Sequence, residues 1–317
     1  MAILVTGGCG FIGSHFVNKC FDENTYNIVN VDALYYCSNI NNVRKDVREN
    51  PRYTFYNMKL QEQEKILNVL NAHNITRVVH FAAQSHVQNS FDSSLQFTDD
   101  NVLGTHNLLE ACRKNGNIEL FIHCSTDEVY GETPKDEDDK KTETSLLLPT
   151  NPYAATKAAA ELLATSYYKS FNLPVIITRG NNVYGPNQFP EKVIPKFIKQ
   201  LKEGKKITIQ GDGSAIRGFL YIDDVVSAFI TILNNGRIGD IYNIGCEVGN
   251  EITIFELAKL LIDKLCHTNK SNEEYIDFIE DRPFNDHRYY ISSKKLKELG
   301  WCQRVKFEDG LDLMLKI

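Results

Sequence analysis

A tyrosine and a lysine four residues apart form the first candidate catalytic pair of this sequence. Asn151 is of a type that caps helices and Pro152 favours the first helical position, so the sequence predicts a helix that begins here. Tyr153 and Lys157 then share one face of that helix. Because an ammonium group beside a phenol favours the phenolate, we expect Lys157 to lower the pKa of Tyr153 from about 10 and make it a general base. The alternative is an ordinary solvent-facing pair.

A glycine-rich run near the N-terminus predicts a phosphate-binding turn. A strand-like segment leads into Gly7, Gly10 and Gly13, and helical spacing of apolar residues follows them. Glycines permit a tight turn and let the backbone approach a pyrophosphate, whose charge then lies at the helix N-terminus. Asp32 ends the next predicted strand, where a carboxylate accepts hydrogen bonds from ribose hydroxyls and repels a 2′-phosphate. Together these features predict binding of NAD rather than NADP, with a purely structural turn as the alternative.

These motifs need a scaffold that brings the ends of several strands together. Short runs rich in β-branched residues alternate with stretches of helical periodicity in the first half of the chain. Nearly continuous apolar strands between helices are typical of a parallel sheet covered on both faces. We therefore predict an α/β fold with a doubly wound parallel sheet of the Rossmann type, and ligands beyond the carboxyl ends of the strands. The predicted strands lie near residues 3–5, 28–31, 78–81, 120–123 and 175–177.

The second half of the chain predicts a smaller substrate-binding lobe. Prolines and glycines interrupt the alternation after residue 178, as expected where the chain leaves the main sheet. Two later strand-like segments, at 219–222 and 241–244, predict a return to the main domain. The expected division is an NAD-binding domain from 1–178, which 219–245 rejoins, and a smaller substrate-binding lobe from 179–218 and 246–317.

Composition excludes several classes of protein. The chain has 317 residues, of which 42% are hydrophobic and 24% charged, so it is neither fibrous nor wholly disordered. A net charge of −6 argues against a broad surface for nucleic acid or anionic membrane. No apolar run approaches the roughly 18 to 20 residues that span a bilayer, and we expect a cytoplasmic protein. The eight cysteines are scattered without metal-ligand spacing, which predicts reduced thiols and no metal site.

The glycine turn and the tyrosine–lysine pair together give a family resemblance. In combination they resemble the extended short-chain dehydrogenase/reductase family, over nearly the whole chain. The branch is indicated by Thr126, Asp127 and Glu128, which end the strand that begins near residue 120. This segment resembles that of the nucleotide-sugar 4,6-dehydratases, whose Thr-Asp-Glu supplies the acid and base that related 4-epimerases lack. The alternative for the two carboxyl groups is a polar strand end without a proton-transfer role.

The resemblance implies a reaction that these residue types can perform. Tyr153 takes the proton of the sugar 4-hydroxyl while NAD takes the C4 hydride, and the resulting ketone acidifies C5. Glu128 then removes the C5 proton, Asp127 protonates the departing C6 hydroxyl, and the hydride returns to C6. Adjacent carboxyl groups push their pKa values apart, which suits one acid beside one base. Thr126 is expected to hydrogen-bond the 4-hydroxyl, and Lys157 to hold the nicotinamide ribose.

Further contacts are implied only by the resemblance. Ala82, Ala83 and Ser85 follow the third of the long strands and are expected along the cofactor and sugar, whereas His86 is expected to be structural. Arginine suits the phosphates because its planar donor fork grips oxygens in pairs, with ordinary surface ion pairs as the alternative. The remaining expected contacts are Phe11 and Ile12 for the cofactor, and Ser85, Thr126, Asn182, Arg217 and Arg288 for the substrate.

The sequence departs from the family pattern at three places outside the proposed chemistry. The acidic residue that usually bonds the adenine amino group is replaced by a segment that contains Lys59. The usual Asp-Trp after Arg217 is Gly218-Phe219, and the Asp expected after Ser-His-Val is Gln88. The adenine contact is therefore expected to differ from that of the family.

Several functional alternatives remain at this point. Residues 84–86, 178–182 and 187–189 resemble UDP-glucose 4,6-dehydratases more than dTDP-glucose enzymes, so UDP-glucose is favoured and a product on the way to rhamnose or another deoxysugar is expected. A UDP-glucose 4-epimerase would have no task for Asp127 and Glu128. A non-catalytic NAD-binding scaffold would not need Tyr153. The resemblance also implies a homodimer formed through the helices near residues 101 and 152.

Overall fold

The computed structural model describes residues 1–23, 25–134, 140–247, 249–266, 271–281 and 283–316. Short strands alternate with helices over most of this length. The strands are β1 (Ala2–Thr6), β2 (Asn27–Asp32), β3 (Tyr53–Asn57), β4 (Ile75–His80), β5 (Leu120–Thr126), β6 (Val175–Gly180), β7 (Asn182–Tyr184), β8 (Ile207–Gln210), β9 (Ile216–Tyr221), β10 (Ile241–Ile244), β11 (Glu251–Thr253) and β12 (Ile276–Ile279).

The helices pack on both faces of the largest sheet, where two clusters of buried apolar side chains form the core. The α-helices are α1 (Phe11–Glu23), α2 (Lys45–Arg48), α3 (Gln63–Ala72), α4 (Val87–Asp92), α5 (Ser94–Phe97), α6 (Gly104–Asn115), α7 (Pro152–Phe171), α8 (Val193–Lys202), α9 (Ile222–Asn235), α10 (Ile254–Leu265), α11 (Lys294–Glu298) and α12 (Phe307–Leu315). Among the described residues there are also a π-helical turn (Thr98–Leu103) and 3₁₀ turns at Ile40–Asn42, Asp127–Tyr130 and Asn272–Tyr275.

The central sheet has seven strands in the order β10-β6-β5-β4-β1-β2-β3, and every pair in it is parallel. This confirms the predicted doubly wound α/β fold. The chain runs outward from β1 in both directions, so the connections on its two sides diverge and leave a crevice at the carboxyl ends of the strands. Parallel strands end at the same edge, which brings the residues after β1, β2, β4, β5 and β6 to one crevice.

Two smaller sheets lie outside the central one. β9 pairs with β7 and β11, and β8 pairs with β12. Of the two segments predicted to return to the main domain, 241–244 joins the central sheet as β10, whereas residues 219–222 belong to the three-stranded sheet and the start of α9. β9 begins at Ile216 and pairs in parallel with β7, which directly follows β6 in the chain. The division into two lobes stays a prediction.

Helix starts follow the capping signals of the sequence. The Asn151 side chain accepts a hydrogen bond from the Ala154 N–H at 2.9 Å and Pro152 occupies the first turn, as predicted for α7. Thr253 and Glu256 form a capping box at the start of α10. α7 is also tied to β6 by a buried ion pair between Glu161 and Arg179, whose atoms approach to 2.7 Å. The ion pair therefore holds the middle of α7 against β6.

Three other expectations concern loops, thiols and membranes. Most of the charged segment at 134–145 that was predicted to be a loop, residues 135–139, lies outside the described residues, and Lys141 forms a β-bridge with Ile291. All eight cysteines are free, and no metal-ligand cluster occurs in the described part of the chain. Nor does any helix in the described ranges have the length and apolar character needed to cross a membrane.

Candidate active site

The glycine turn after β1 forms a cradle that a larger side chain would fill. Gly7 has a φ of 71°, and its N–H donates a hydrogen bond to Val31 O at 2.8 Å, which attaches the turn to β2. A Cβ on Gly13 would lie 2.1 Å from Gly7 O, which is far inside van der Waals contact. The first turn of α1 therefore approaches the loop as closely as backbone allows, and its N-terminus faces the crevice.

Asp32 stands at the end of β2 with a carboxylate that the backbone holds in place. Its oxygens accept hydrogen bonds from Cys9 N at 2.9 Å, Leu34 N at 2.8 Å and the Ser38 hydroxyl at 3.0 Å. Asp32 also lines the large cavity at this edge of the sheet. A fixed carboxylate next to the glycine cradle suits a dinucleotide with free ribose hydroxyls.

One cavity of about 300 Å³ brings together the residues that the sequence singled out for cofactor binding and catalysis. The buried hydroxyl of Ser125 has no hydrogen-bond partner in the protein, so it is available to form a hydrogen bond with a polar group of a ligand. The residues therefore fit a dinucleotide, while their individual roles stay predictions. The predicted residues that line the cavity are Gly7, Gly10, Phe11, Ile12, Gly13, Asp32, Ala82, Ala83, Ser85, Thr126, Asp127, Glu128, Tyr153, Lys157 and Asn182.

The adenine end of the cavity carries the departure noted in the sequence. Lys59 lies there beside Met58 and Leu60, and its ammonium is 5.5 Å from the centroid of the Tyr35 ring. Gln61 donates hydrogen bonds to the carboxylates of Asp99 and Asp100. This end of the lining therefore combines aromatic and aliphatic surface with a cation where the family usually has an acid.

Thr126, Asp127 and Glu128 lie where β5 turns into a 3₁₀ turn. The Thr126 hydroxyl accepts a weak hydrogen bond from Glu128 N at 3.4 Å and so caps this turn. Asp127 Oδ2 accepts a hydrogen bond from the Asn181 amide at 2.6 Å, and Glu128 Oε2 accepts one from the Asn151 amide at 3.1 Å. Each carboxyl group is thus held separately, one from the end of β6 and one from the cap of α7.

Burial raises the pKa values of both carboxyl groups. For Asp127, desolvation and then the negative charge of Glu128 raise the pKa to about 7, against the hydrogen bonds from Asn181 and Thr126. For Glu128, desolvation raises the pKa, while the Asn151 hydrogen bond and the charges of Lys192 and Arg217 lower it. A neutral carboxylic acid beside an ionised carboxylate is therefore accessible near neutral pH.

Tyr153 and Lys157 lie on one face of α7 as predicted, but the predicted pKa effect is wrong for this arrangement. Burial, followed by the charge of Glu128, raises the pKa of Tyr153 well above its usual value. The Lys157 ammonium donates to Cys124 O at 2.7 Å. Desolvation of Lys157 in turn lowers its own pKa. A hydrogen bond from Thr126 acts in the opposite direction and favours the Tyr153 phenolate.

A second cavity adjoins the first and holds Arg217. Glu128, Asn182, Gln188 and Lys192 line both cavities, so the proposed base stands at their junction. The Arg217 guanidinium lies against the ring of Tyr289 at 5.0 Å and donates to the carbonyls of residues 216, 286 and 287. Gln188 has a buried carbonyl oxygen without a protein partner. Lys192, Lys196 and Arg217 bring positive charge to this second cavity, whose lining also contains the carboxyl groups of Glu128, Glu191, Asp212 and Asp281. The arginine and the amide groups are of the types that bind a diphosphate and its nucleoside.

Arg288 is placed differently from the prediction. Its guanidinium forms an ion pair with Glu251, donates a hydrogen bond to the same carboxylate at 2.9 Å and lies 3.8 Å from the centroid of the Tyr290 ring. It is absent from the lining of both cavities. Arg288 thus forms a partly buried ion pair with a carboxylate that β11 brings next to it, and its role at the substrate stays a prediction.

Several contacts at the site carry no sequence signal. Asn181 and Asn151 hold the two carboxyl groups, and Lys192 bridges the two sides of the crevice by donating to Ser85 O at 2.7 Å. His86, expected to be structural, lies 3.8 Å from Glu191 across the same gap. These contacts join segments far apart in the chain, so motif spacing could not reveal them.

The sheet order, the glycine cradle and the Tyr153–Lys157 pair define an extended short-chain dehydrogenase/reductase. The family profile described as GDP-mannose 4,6 dehydratase matches residues 4–314, and the chain belongs to this family. A trifunctional protein of Arabidopsis thaliana, named a UDP-glucose 4,6-dehydratase, 3,5-epimerase and reductase, is 48% identical over 98% of the chain, which spans 46% of that relative. The chain thus covers about half the length of the curated relatives it matches first.

Other relatives match over most of their own length. A protein of Dictyostelium discoideum named dTDP-D-glucose 4,6-dehydratase is 45% identical over 98% of this chain and 80% of its own. Among solved structures, the dTDP-glucose 4,6-dehydratase DesIV of Streptomyces venezuelae with NAD and TYD bound has a TM-score of 0.93, 37% identity, and coverage of 100% of this chain and 96% of that one. A UDP-glucose 4-epimerase of Thermotoga maritima has a TM-score of 0.89 and 31% identity, over 100% of this chain and 98% of that one.

Proposed function

We propose that this protein uses NAD to dehydrate a nucleoside-diphosphate glucose to the 4-keto-6-deoxyglucose nucleotide. The observation that carries this proposal is the placement of Asp127 and Glu128 in one cavity with Tyr153 and Lys157. Tyr153 and Lys157 alone would also suit a 4-epimerase, and one of the similar solved structures is a UDP-glucose 4-epimerase. An acid and a base held separately beside it are what the removal of water requires, and the relatives named 4,6-dehydratases support this choice.

The first part of the reaction oxidises C4 of the sugar. When bound, NAD supplies the acceptor for the C4 hydride and the donor that later reduces C6. Tyr153 takes the proton of the 4-hydroxyl, and Thr126, within hydrogen-bonding reach of Tyr153, also bonds that hydroxyl. Lys157 holds the nicotinamide ribose through the ammonium that it otherwise gives to Cys124 O. A ketone at C4 then makes the hydrogen at C5 acidic.

The second part eliminates water across C5 and C6. Glu128 removes the C5 proton, and Asp127, neutral in its buried position, gives a proton to the departing C6 hydroxyl. The Asn151 amide donates a hydrogen bond to Glu128 and the Asn181 amide donates one to Asp127. Because each carboxyl group has its own partner, the two do not share a proton, and the acid and the base keep separate roles. Hydride return to C6 completes the 4-keto-6-deoxy sugar.

UDP-glucose is the favoured substrate, with dTDP-glucose as the second candidate. Support for UDP comes from the higher identity to the Arabidopsis protein, 48% against 45% for the Dictyostelium protein. Asn182 and Arg217 take the diphosphate in the second cavity, with Ser85 at the sugar. Arg288 can contact the substrate only after its ion pair with Glu251 is broken. The product is one step towards rhamnose or another deoxysugar.

The same proposal includes a cytoplasmic homodimer. The cytoplasm keeps free thiols reduced, which suits the eight unpaired cysteines. Leu103 precedes α6, Leu162 lies on α7, and both are exposed, which leaves apolar surface on the helices expected to pair. Light scattering at micromolar concentration is expected to give twice the mass of the chain, and a single monomeric species would contradict the dimer.

An assay with two sugar nucleotides tests the proposed function. The protein is incubated with NAD and either UDP-glucose or dTDP-glucose, and the nucleotide fraction is analysed by mass spectrometry. We expect a product that has lost the elements of water, with UDP-glucose consumed faster. A 4-epimerase would give no change of mass, and a non-catalytic scaffold would give no product.

The opposite protonation states of the two carboxyl groups predict a bell-shaped pH profile. Glu128 must be ionised, so kcat/KM falls when the pH drops through the lower apparent pKa of the pair. Asp127 must be protonated, and because burial raises its pKa to about 7, kcat/KM falls again as the pH rises through that value. Both limbs belong to the coupled pair. Initial rates across the pH range check this, and a profile flat through neutrality would contradict the assignment.

A further inference from the structure

Glu128 has a second neighbour besides the Asn151 amide. The Tyr289 hydroxyl lies 3.5 Å from the same oxygen, Glu128 Oε2, at the edge of the second cavity. This is at the outer limit of a hydrogen bond. Tyr289 is buried and held in place by the Arg217 guanidinium 5.0 Å from the centroid of its ring. The phenol thus faces the proposed base without a firm hydrogen bond to it.

The Tyr289 phenol has its firm hydrogen bond on the other side. It donates at short range to Oδ2 of Asp286, a carboxylate that is 2% exposed. Thr150 donates to both oxygens of the same carboxylate at 2.8 Å. Thr150 precedes the cap of α7, and Asp286 and Tyr289 lie in the segment before α11. Asp286 therefore sits behind the site, one side chain away from Glu128.

A phenol has one hydrogen, and this arrangement commits it to Asp286. The oxygen of Tyr289 then presents lone pairs to Glu128. A lone pair facing a carboxylate stabilises the protonated carboxyl, which can donate to it, and does nothing for the ionised form. The buried negative charge of Asp286 acts in the same direction and raises the pKa of Glu128.

We propose that Asp286 is a positioning residue that acts through Tyr289 to keep Glu128 a strong base. The proposal rests on the dehydratase function proposed above and adds a residue outside both cavity linings. Proton removal from C5 gains from a base of high proton affinity, as long as that base is ionised at the working pH. Asp286 accepts the only hydrogen of the Tyr289 hydroxyl, so Tyr289 cannot donate it to the Glu128 carboxylate, and the proton affinity of Glu128 stays high.

Other charges face Glu128 and must be weighed against Asp286. Lys192 and Arg217 both lower the pKa of Glu128, whereas desolvation, the largest effect, raises it. Asp127 is its neighbour in the chain and is largely neutral below pH 7. Tyr153, whose pKa is raised by burial and by Glu128, is uncharged. Asp286 therefore acts on Glu128 in the direction opposite to Lys192 and Arg217.

Asp286→Asn tests the proposal through the pH profile. The change removes the negative charge and replaces a carboxylate acceptor by a weaker amide oxygen, so that the Tyr289 hydroxyl can turn to the Glu128 carboxylate. Both effects favour the ionised form of Glu128. We expect the acidic limb of kcat/KM to move about one pH unit lower and the plateau to fall by less than about tenfold, since a weaker base removes the proton more slowly. An acidic limb that stays at its wild-type position would overturn the proposal.

Asp224→Asn is the matched control. Asp224 is also 2% exposed and accepts two firm hydrogen bonds, from Arg304 N and Val305 N, but it lies on α9 away from Glu128. Its loss is expected to lower the melting temperature and to leave the acidic limb unchanged. An equal shift in both variants would mean that Asp286 is merely structural.

A titration without turnover separates this inference from the proposed function. The infrared carboxylic-acid band of Glu128, identified by its loss in Glu128→Gln, gives the pKa of Glu128 even if neither sugar nucleotide is dehydrated. We expect that pKa to be lower in Asp286→Asn. If Asp286→Asn does not fold, Tyr289→Phe is measured instead. When the Tyr289 hydrogen is donated to Asp286, its loss does not raise the pKa of Glu128. A raised pKa would show that Tyr289 donates to Glu128 and would overturn the proposal.

Discussion

Glu128→Gln is expected to reduce the rate of water loss from the sugar nucleotide by roughly 10²- to 10⁴-fold, the usual contribution of a general base. Glutamine keeps the size of the side chain and an oxygen that can accept the Asn151 hydrogen bond, but it cannot take the C5 proton. The fold should be unaffected, because Glu128 is only partly buried at the junction of two cavities. The measurement is the initial rate of dehydration, followed by mass spectrometry.

A second readout shows which step the variant has lost. In D₂O, removal of the C5 proton leads to deuterium at C5, and this incorporation should fall with the overall rate in Glu128→Gln. Glu203→Gln, an exposed carboxylate beside the end of α8, is the control and should behave as wild type. Dehydration and C5 deuteration at wild-type rates in Glu128→Gln would show that another group is the base.

Tyr153→Phe is expected to lower the rate by a comparable factor, about 10²- to 10⁴-fold, because no other group is assigned to the 4-hydroxyl proton. The ring can keep its edge contact with Phe97, with centroids 6.4 Å apart, so stability should be retained. Without oxidation at C4 the C5 hydrogen stays non-acidic. C5 deuteration in D₂O should therefore be lost together with dehydration.

Tyr167→Phe is the control on the same helix. Tyr167 is buried in α7 like Tyr153, but its hydroxyl donates to Glu110 on the neighbouring helix α6, and neither residue lines the cavity. Its loss should leave the rate unchanged within about a factor of two, the scale of a few tenths of a kcal/mol. Substantial dehydration by Tyr153→Phe would remove Tyr153 from the mechanism and move the oxidation to another base.

The features that sequence predicts correctly here are local ones. The cradle around Gly7 and Gly13 follows from a strand, a tight turn and a helix within one short segment. The start of α7 follows from the Asn151 cap and Pro152. Tyr153 and Lys157 share a face because helical geometry fixes side chains four residues apart. Parallel pairing then brings Asp32 and the end of β5 to the same crevice without further information.

The features that sequence could not predict depend on contacts between distant segments. The pKa of Tyr153 rises because the phenol is buried and lies near the charge of Glu128, while the Lys157 ammonium donates to a backbone carbonyl on β5. Arg288 pairs with Glu251 because β11 runs beside it, and no motif spacing encodes that neighbour. Asn181 reaches Asp127 only through the pairing of β5 with β6.

The central claim is that one cavity carries out oxidation at C4, water removal across C5 and C6, and reduction at C6. UDP-glucose labelled with deuterium at C4 tests it most directly, with NAD present and the product analysed by mass spectrometry and NMR. The account predicts a product that has lost the elements of water and carries the label on its C6 methyl group. Recovery of the label at C4 in an unaltered or epimerised sugar would contradict it.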